Sequence, residues 1–409
     1  MRRAVGISGT GVCSVAGRGI GPLVEAVRTG TCLLTPDEAM IALGTRCRLS
    51  GRLRDVDESF AGLPIHPTHR DFFGRFSRIG AIAAFDALAA ATDATAPNIG
   101  RVVVASAVGP MGELEACFRD TLREQRHPRR AHAVTRVTNS FLATYMASSV
   151  GAPRGGRVVS SACVSALEAF RDAVELVASG AEDAVLVGAV DEDAASTHWA
   201  FDGQRLLCQA AEPVARTRAL SGKLGGFVPA GGAAFFVIEA QASALARGCA
   251  AAVRIAGVSL RSEAQPVSLV AFPLTAYREA LRDAGVWQGS GFDLVMAHAP
   301  PTVADVEELQ CLDSAFNVVD SGTPVRSFKS LFGYALGAAA AIDVALGAFQ
   351  ISNGEILPND PCTREPVLAP FEGCLGGGVR RTRVNRILKT AYAQGGVAGA
   401  LVLEHAGTA

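Results

Sequence analysis

Apolar residues fall along this chain in short runs separated by amphipathic stretches, the rhythm of strands alternating with helices. The runs Arg101–Ala107, Ala184–Val190 and Phe292–Ala297 are continuous rather than alternating, the pattern of strands covered on both faces. Ala4–Cys13 reads as an opening strand, and Val253–Leu260 resembles it closely enough to start a second cycle. Gly225–Glu239 reads as a glycine turn feeding a strand, Val325–Ser327 as a short strand, and Arg383–Thr390 and Gly399–Leu403 as the last two. Helical spacing marks Gly19–Arg28, Ser77–Thr92, Glu113–Arg126, Asn139–Val150, Ala240–Arg247, Leu274–Ala284, Val306–Phe316 and the small-residue stretch Ala335–Ser352. Thr31–His69 carries scattered Pro and Gly and no period, so it is expected to be irregular. An alternation that restarts midway implies two similar α/β halves packed into one body.

Composition narrows the function classes. Of 409 residues, 49% are hydrophobic and 19% charged, with a net charge of −1, which argues against a general binder of nucleic acid or anionic membranes. No run is read as a membrane span of about 18 apolar residues, and the N-terminus lacks the apolar core of an export signal, so a soluble cytoplasmic protein is expected. The ten cysteines contain no C-x-x-C pair, which fits neither a zinc site nor a small disulfide scaffold; no metal is expected, and the thiols are read as reduced. Gly6, Gly9 and Gly11 do not match G-x-G-x-x-G, so the opening turn is read as structural. Arg123, Arg126, Arg129, Arg130 and Arg136, with His127 and His132, form the one basic cluster, either a solvated loop or a docking patch for an acidic carrier.

The candidate chemistry centres on Val158–Phe170, Val-Val-Ser-Ser-Ala-Cys-Val-Ser-Ala-Leu-Glu-Ala-Phe. β-Branched residues lead into small ones, then a cysteine, then apolar positions at helical spacing, which reads as strand, tight turn and helix with Cys163 at or just before the helix start. Unpaired N–H groups and the helix dipole there are expected to favour the nucleophilic thiolate. A packed core cysteine is the other reading of the same stretch.

Several motifs in order then resemble those of the β-ketoacyl synthases, condensing enzymes of the thiolase superfamily. Ser161-Ala162-Cys163 is similar to that family's T-A-C turn, Met296-Ala297-His298 to its N-A-H, and Asp305-Val306-Glu307-Glu308 to its D-x-x-E. Lys329-Ser330-Leu331-Phe332-Gly333-Tyr334-Ala335-Leu336-Gly337-Ala338-Ala339 is similar to K-S-x-x-G-H-x-x-G-A-A, and Thr390–Gly396 stands where the family has N-S-F-G-F-G-G. The resemblance covers nearly the whole chain. It implies a thiolase-like, five-layered αβαβα fold, with residues 1–250 carrying the nucleophile and residues 251–409 the histidine and lysine loops.

It also implies an activity. Cys163 would accept an acyl group from a carrier-protein thioester, and a malonyl-type thioester would lose CO2 and attack that group, in fatty-acid or polyketide biosynthesis. Backbone donors at Cys163 and Gln394, in the turn with Gly395 and Gly396, would bind one thioester oxygen; His298 and the residue at position 334 would polarise the other. Lys329 and Glu308 would hold the hydrogen bonds and charge balance, and Thr302 would contact the pantetheine arm. No resident cofactor is implied, since phosphopantetheine arrives on the carrier; the partners implied are an acyl carrier protein and a second subunit, identical or ketosynthase-like.

The departures from the pattern are specific. Tyr334 replaces the second histidine; a phenol donates one hydrogen bond but is a poor general base. The loop after His298 is Ala-Pro-Pro-Thr-Val, stiffened by two prolines. Gln394 replaces an aromatic gatekeeper, Ala393 a glycine, and Ala230-Gly231-Gly232 stands for G-E-G. These leave two alternatives to a decarboxylating synthase: an acyltransferase with His298 as base, or a chain-length-factor-like partner subunit. The other histidines, 66, 69, 127, 132, 198 and 405, have no motif context and are expected at the surface.

Overall fold

The computed structural model of the protein describes residues 2–92, 95–124, 131–223, 225–249, 251–264, 271–285 and 291–407. Ten strands carry the architecture: β1 (Val5–Ser14), β2 (Ile99–Ala105), β3 (Gly156–Val159), β4 (Ala184–Asp191), β5 (Gly232–Ala240), β6 (Val253–Ser262), β7 (Leu294–Met296), β8 (Val325–Arg326), β9 (Arg386–Ala393) and β10 (Val397–His405). They lie side by side in the order β8-β7-β9-β10-β6-β1-β5-β4-β2-β3, with the two-residue strand Gly17–Arg18 added against β1.

That order repeats one plan outward from the centre. From β1, the pairs β1–β5 and β5–β4 are antiparallel, then β4–β2 and β2–β3 parallel. From β6, the pairs β6–β10 and β10–β9 are antiparallel, then β9–β7 and β7–β8 parallel. The two sets meet along β1–β6 through two residue pairs, Gly6↔Arg254 and Ile7↔Val253.

Five layers follow from which faces are apolar. Between the two sets lie α3 (Ser165–Ala178) and α6 (Ala339–Asn353), introduced here with α1 (Arg75–Ala90), α2 (Phe141–Ser149), α4 (Leu274–Asp283) and α5 (Ala304–Phe316). Val103 and Ala105 of β2 face α3 and α6 in the central core, while Val102 and Val104 face α1 and α2 in an outer one. In the second half, Ile387 and Ala391 of β9 face inward, and Leu388 and Tyr392 face α4 and α5. Both faces of these strands are covered, which is why their sequences read as unbroken apolar runs. Each fully buried Val, Leu or Ile contributes roughly 1.5–3 kcal/mol of transfer free energy.

Several details differ from the sequence expectations. The irregular stretch 31–69 contains two short helices, Glu38–Ala42 and Val56–Ala61, and a small hairpin-like pairing of Thr35–Pro36 with Leu49–Ser50. The helix Ala195–Gly203, absent from the sequence reading, lies between β4 and β5. The helix expected over 335–352 begins as a 3-10 turn at Leu336–Ala338. Leu336–Asn353 is also long and apolar enough to cross a membrane, contrary to the sequence reading, but 83% of it is buried inside the protein as the central helix. His198, expected at the surface, is buried with its Nε2 3.0 Å from the Cys47 carbonyl oxygen. Arg126, His127, Arg129 and Arg130 of the basic cluster lie outside the described residues; Arg136 donates to the Asp71 carbonyl oxygen at 2.8 Å.

Candidate active site

The ends of corresponding strands in the two halves converge on one cavity of about 410 Å³, lined by Cys163, His298, Thr302, Tyr334, Tyr392 and Gln394 among others. Cys163 follows β3, and Lys329 follows β8, the strand in the same place of the repeated plan. His298 follows β7, and Ala107 and Val108, which line the same cavity, follow β2.

Cys163 stands just ahead of α3, on a turn where Ala162 holds the left-handed conformation at φ +49°. That conformation costs an ordinary L-residue energy and aims the thiol into the cavity rather than along the strand. Its electrostatics differ from the sequence expectation. Burial pushes the thiol up from its ordinary range and Asp191 adds to the rise; the Tyr334 hydroxyl and the backbone N–H groups of Cys163 and Gln394 pull the other way. The helix N-terminus does not outweigh desolvation. The same two backbone N–H groups converge on the position of the sulfur, the arrangement that binds an oxyanion formed there.

Asp191, at the end of β4, anchors the floor. It accepts from Ser106 Oγ (2.7 Å) and from the backbone N–H groups of Ala107, Val108 and Ala338 (3.1–3.2 Å), and burial pushes its carboxyl up to about 6. These bonds tie the first half to the turn after Tyr334 in the second.

His298 is fixed from below by Glu308. The Glu308 carboxylate accepts from the backbone N–H of His298 (2.9 Å) and Ala299 (2.8 Å), from Tyr277 Oη (2.9 Å) and from Thr390 Oγ1 (2.7 Å). Glu308 and Asp305 lie three residues apart on one face of α5, and Asp305 in turn accepts from the N–H of Thr302 and Leu220. Burial pushes the Asp305 carboxyl up to about 7. Burial, then Lys329, then Lys389 hold His298 well below its ordinary value, so its ring is neutral at pH 7.

Tyr334 joins the two reactive groups. Its Oη lies 3.3 Å from His298 Nε2, and the Cys163 thiol is its neighbour in the cavity. Burial raises the phenol well above its ordinary range, so it keeps its proton. The preceding Gly333 has φ +84°, and a Cβ there would come within 2.6 Å of Ala230 Cβ, so only glycine fits the turn that presents Tyr334.

Lys329 does not bond Glu308; its Nζ lies 3.0 Å from Asp343 Oδ2. Lys389 lies 2.7 Å from the same oxygen and donates to the Ala297 carbonyl oxygen at 3.1 Å. Burial pulls Lys389 down to about 8. Sequence reasoning missed Lys389, Asp343, Asp191 and Tyr392. Gln394 presents its backbone to the sulfur, while its side chain reaches Gln204 at 3.2 Å. Gly395 and Gly396, at φ +90° and +82°, shape the closing turn. Among the described residues, no group of three or more His, Cys, Asp or Glu side chains is placed to hold a metal ion.

Comparison with known proteins gives the same direction. A family model described as "Beta-ketoacyl synthase, N-terminal domain" matches residues 3–244, and one described as "Beta-ketoacyl synthase, C-terminal domain" matches 251–363. The oxytetracycline polyketide putative beta-ketoacyl synthase 1 of Streptomyces rimosus is 28% identical over 99% of this chain and 98% of its own length. Among solved structures, the ishigamide ketosynthase/chain length factor superposes with a TM-score of 0.84 at 21% identity, covering 100% of both chains. A type II polyketide synthase acyl-carrier protein in complex with its ketosynthase bound to the hexaketide gives 0.82 at 21% identity, over 99% of this chain and 100% of the other.

Proposed function

The chain belongs to the β-ketoacyl synthase family, and from that premise we propose that it is an acyl-transferring condensing enzyme with Cys163 as nucleophile, acting in polyketide or fatty-acid biosynthesis. One observation carries this reading: the Cys163 sulfur shares a cavity with neutral His298, Tyr334 Oη contacts both, and two backbone N–H groups converge at the sulfur.

In the first stage a carrier-borne thioester meets the thiol. The Cys163 sulfur bonds to the carbonyl carbon, the oxygen takes the electron pair between the N–H groups of Cys163 and Gln394, and the pantetheine sulfur leaves. The thiol proton passes through Tyr334 Oη to His298 Nε2 and on to the leaving sulfur. A neutral His298 is the form that can take it. In the second stage a malonyl-type thioester loses CO2, its electron pair moves to the α-carbon and thioester oxygen, and that carbon attacks the acyl group on Cys163. The Cys163 thiolate leaves and regains a proton from water. Lys329, Lys389 and Asp343 set the field around His298, and Thr302 contacts the pantetheine arm that the carrier brings. The partners are an acyl carrier protein and a second subunit, identical or ketosynthase-like, a reading supported by the carrier and subunit named in the two solved relatives; the setting proposed is cytoplasmic.

A second reading has its own support: Tyr334 is engaged by His298 and Cys163, which suits acyl transfer to a non-malonyl acceptor without decarboxylation. Intact-mass measurement of Cys163 after incubation with acyl-carrier protein, coupled to CO2 release from malonyl-carrier protein, separates the two. Acylation that Cys163→Ala abolishes, together with CO2 release, is expected. Acylation without CO2 selects transfer alone, and an assembled complex unaffected by Cys163→Ala removes both in favour of a partner subunit.

A further inference from the structure

Two phenols flank His298, and they are not equivalent. Tyr334 Oη is paired with His298 Nε2, with the Cys163 thiol beside it. Tyr392 is 8% exposed and lines the same cavity, and its hydroxyl makes no hydrogen bond of normal geometry, although the Thr302 hydroxyl is a neighbour. Buried donors are paired in folded proteins as a rule, so an orphan at the wall of a reactive cavity points to a partner that arrives with the substrate.

The ring is held in place. Its centroid lies 4.5 Å from that of His298, 5.0 Å from Phe272 and 6.5 Å from Tyr277, each in an edge-on arrangement. Strand alternation puts Tyr392 on the same face of β9 as Thr390, whose hydroxyl anchors Glu308 under His298. Ring and imidazole thus share one support.

We infer that Tyr392 Oη is the hydrogen-bond donor for the thioester carbonyl oxygen of the extender unit, the oxygen that gains charge when CO2 leaves. In that step the bond between the α-carbon and the carboxylate breaks, CO2 departs, and the electron pair is shared by the α-carbon and the oxygen facing Tyr392. The phenol keeps its proton, because burial and the Glu308 carboxylate disfavour the phenolate. Tyr334 then serves the thiol and Tyr392 the extender. The assignment rests on the condensing-enzyme reading above.

The test uses the full chain, wild type and Tyr392→Phe, which removes one oxygen and keeps the ring packing. Calorimetric titration is done with malonyl pantetheine in which an amide replaces the thioester, and with the thioether analogue that lacks the carbonyl oxygen. Tyr392→Phe is expected to bind the amide about five- to tenfold more weakly, the worth of one neutral hydrogen bond, and the thioether unchanged. Equal amide affinity in the two proteins, equal loss for both analogues, or no binding of the amide by the wild type overturns the assignment. CO2 release from malonyl-carrier protein is measured alongside. If neither protein releases CO2, the condensing reading fails and the assignment falls with it; CO2 release by the wild type without an amide-specific loss in Tyr392→Phe overturns the assignment alone.

Discussion

At Cys163 two opposing fields meet, and their sum sets how the thiol reacts. The turn ahead of α3 offers backbone N–H groups, but removal from water and the nearby Asp191 disfavour the thiolate more strongly. Alkylation of Cys163 by iodoacetamide, followed peptide by peptide by mass spectrometry, is therefore expected to keep accelerating as pH rises past 9. A plateau near pH 7 would contradict this. Tyr334→Phe removes the hydroxyl that pulls the thiol down, so its alkylation should be slower at every pH below that range. At His298 the sign is reversed. Its ordinary value of 6.5 is lowered by burial and two ammonium groups, so activity should persist as pH falls through 6.5. Lys389→Met removes one of those cations and favours imidazolium, moving the acid limb of the pH–rate profile to higher pH; an unmoved limb would show that Lys389 does not act on His298.

At the scale of elements, strained turns do the aiming. Ala162, Ala299 and Leu336 hold positive φ values of 49°, 28° and 45° beside Cys163, His298 and Tyr334. Such conformations persist only where neighbouring bonds hold them. Gly333→Ala adds both the left-handed penalty and an overlap with Ala230, and is expected to cost about 1–3 kcal/mol, read as a lower Tm. The strand-turn-helix around Cys163, the loop order and the restart at β6 were legible because each is written in contiguous residues. The pairing of Lys329 with Asp343 was not, since 14 positions and a change of element separate them. A signal was present: Lys389 interrupts the apolar strand Ile387-Leu388-Lys389-Thr390, and Asp343 the apolar helix Ala340-Ala341-Ile342-Asp343-Val344. Buried charges in apolar elements need partners, and each supplies the other's. The rise of the thiol's pKa is not legible for a related reason: the dipole is visible locally, whereas desolvation depends on what the second half of the chain lays over it.

For the whole molecule, the buried trio of Lys329, Lys389 and Asp343 joins α6 to the loops after β8 and β7. Asp343→Asn leaves two ammonium groups buried side by side and should cost about 3–5 kcal/mol in urea unfolding. Adding Lys389→Met removes one of them, so the double variant is expected to be more stable than Asp343→Asn alone; strict additivity of the two effects would mean that the groups are not coupled.

The junction between the halves has a further consequence. Cys163 belongs to one copy of the strand plan and His298 to the other; among the described residues the copies pair along the sheet at Gly6↔Arg254 and Ile7↔Val253, and they otherwise meet across α3 and α6. Any relative shift of the two copies widens the gap between Tyr334 and Cys163, a pair that spans them. Activity is thus a strain gauge for the alignment of the two copies. In a urea series it should fade ahead of the circular-dichroism signal, while thiol reactivity at Cys163 rises as water reaches the sulfur.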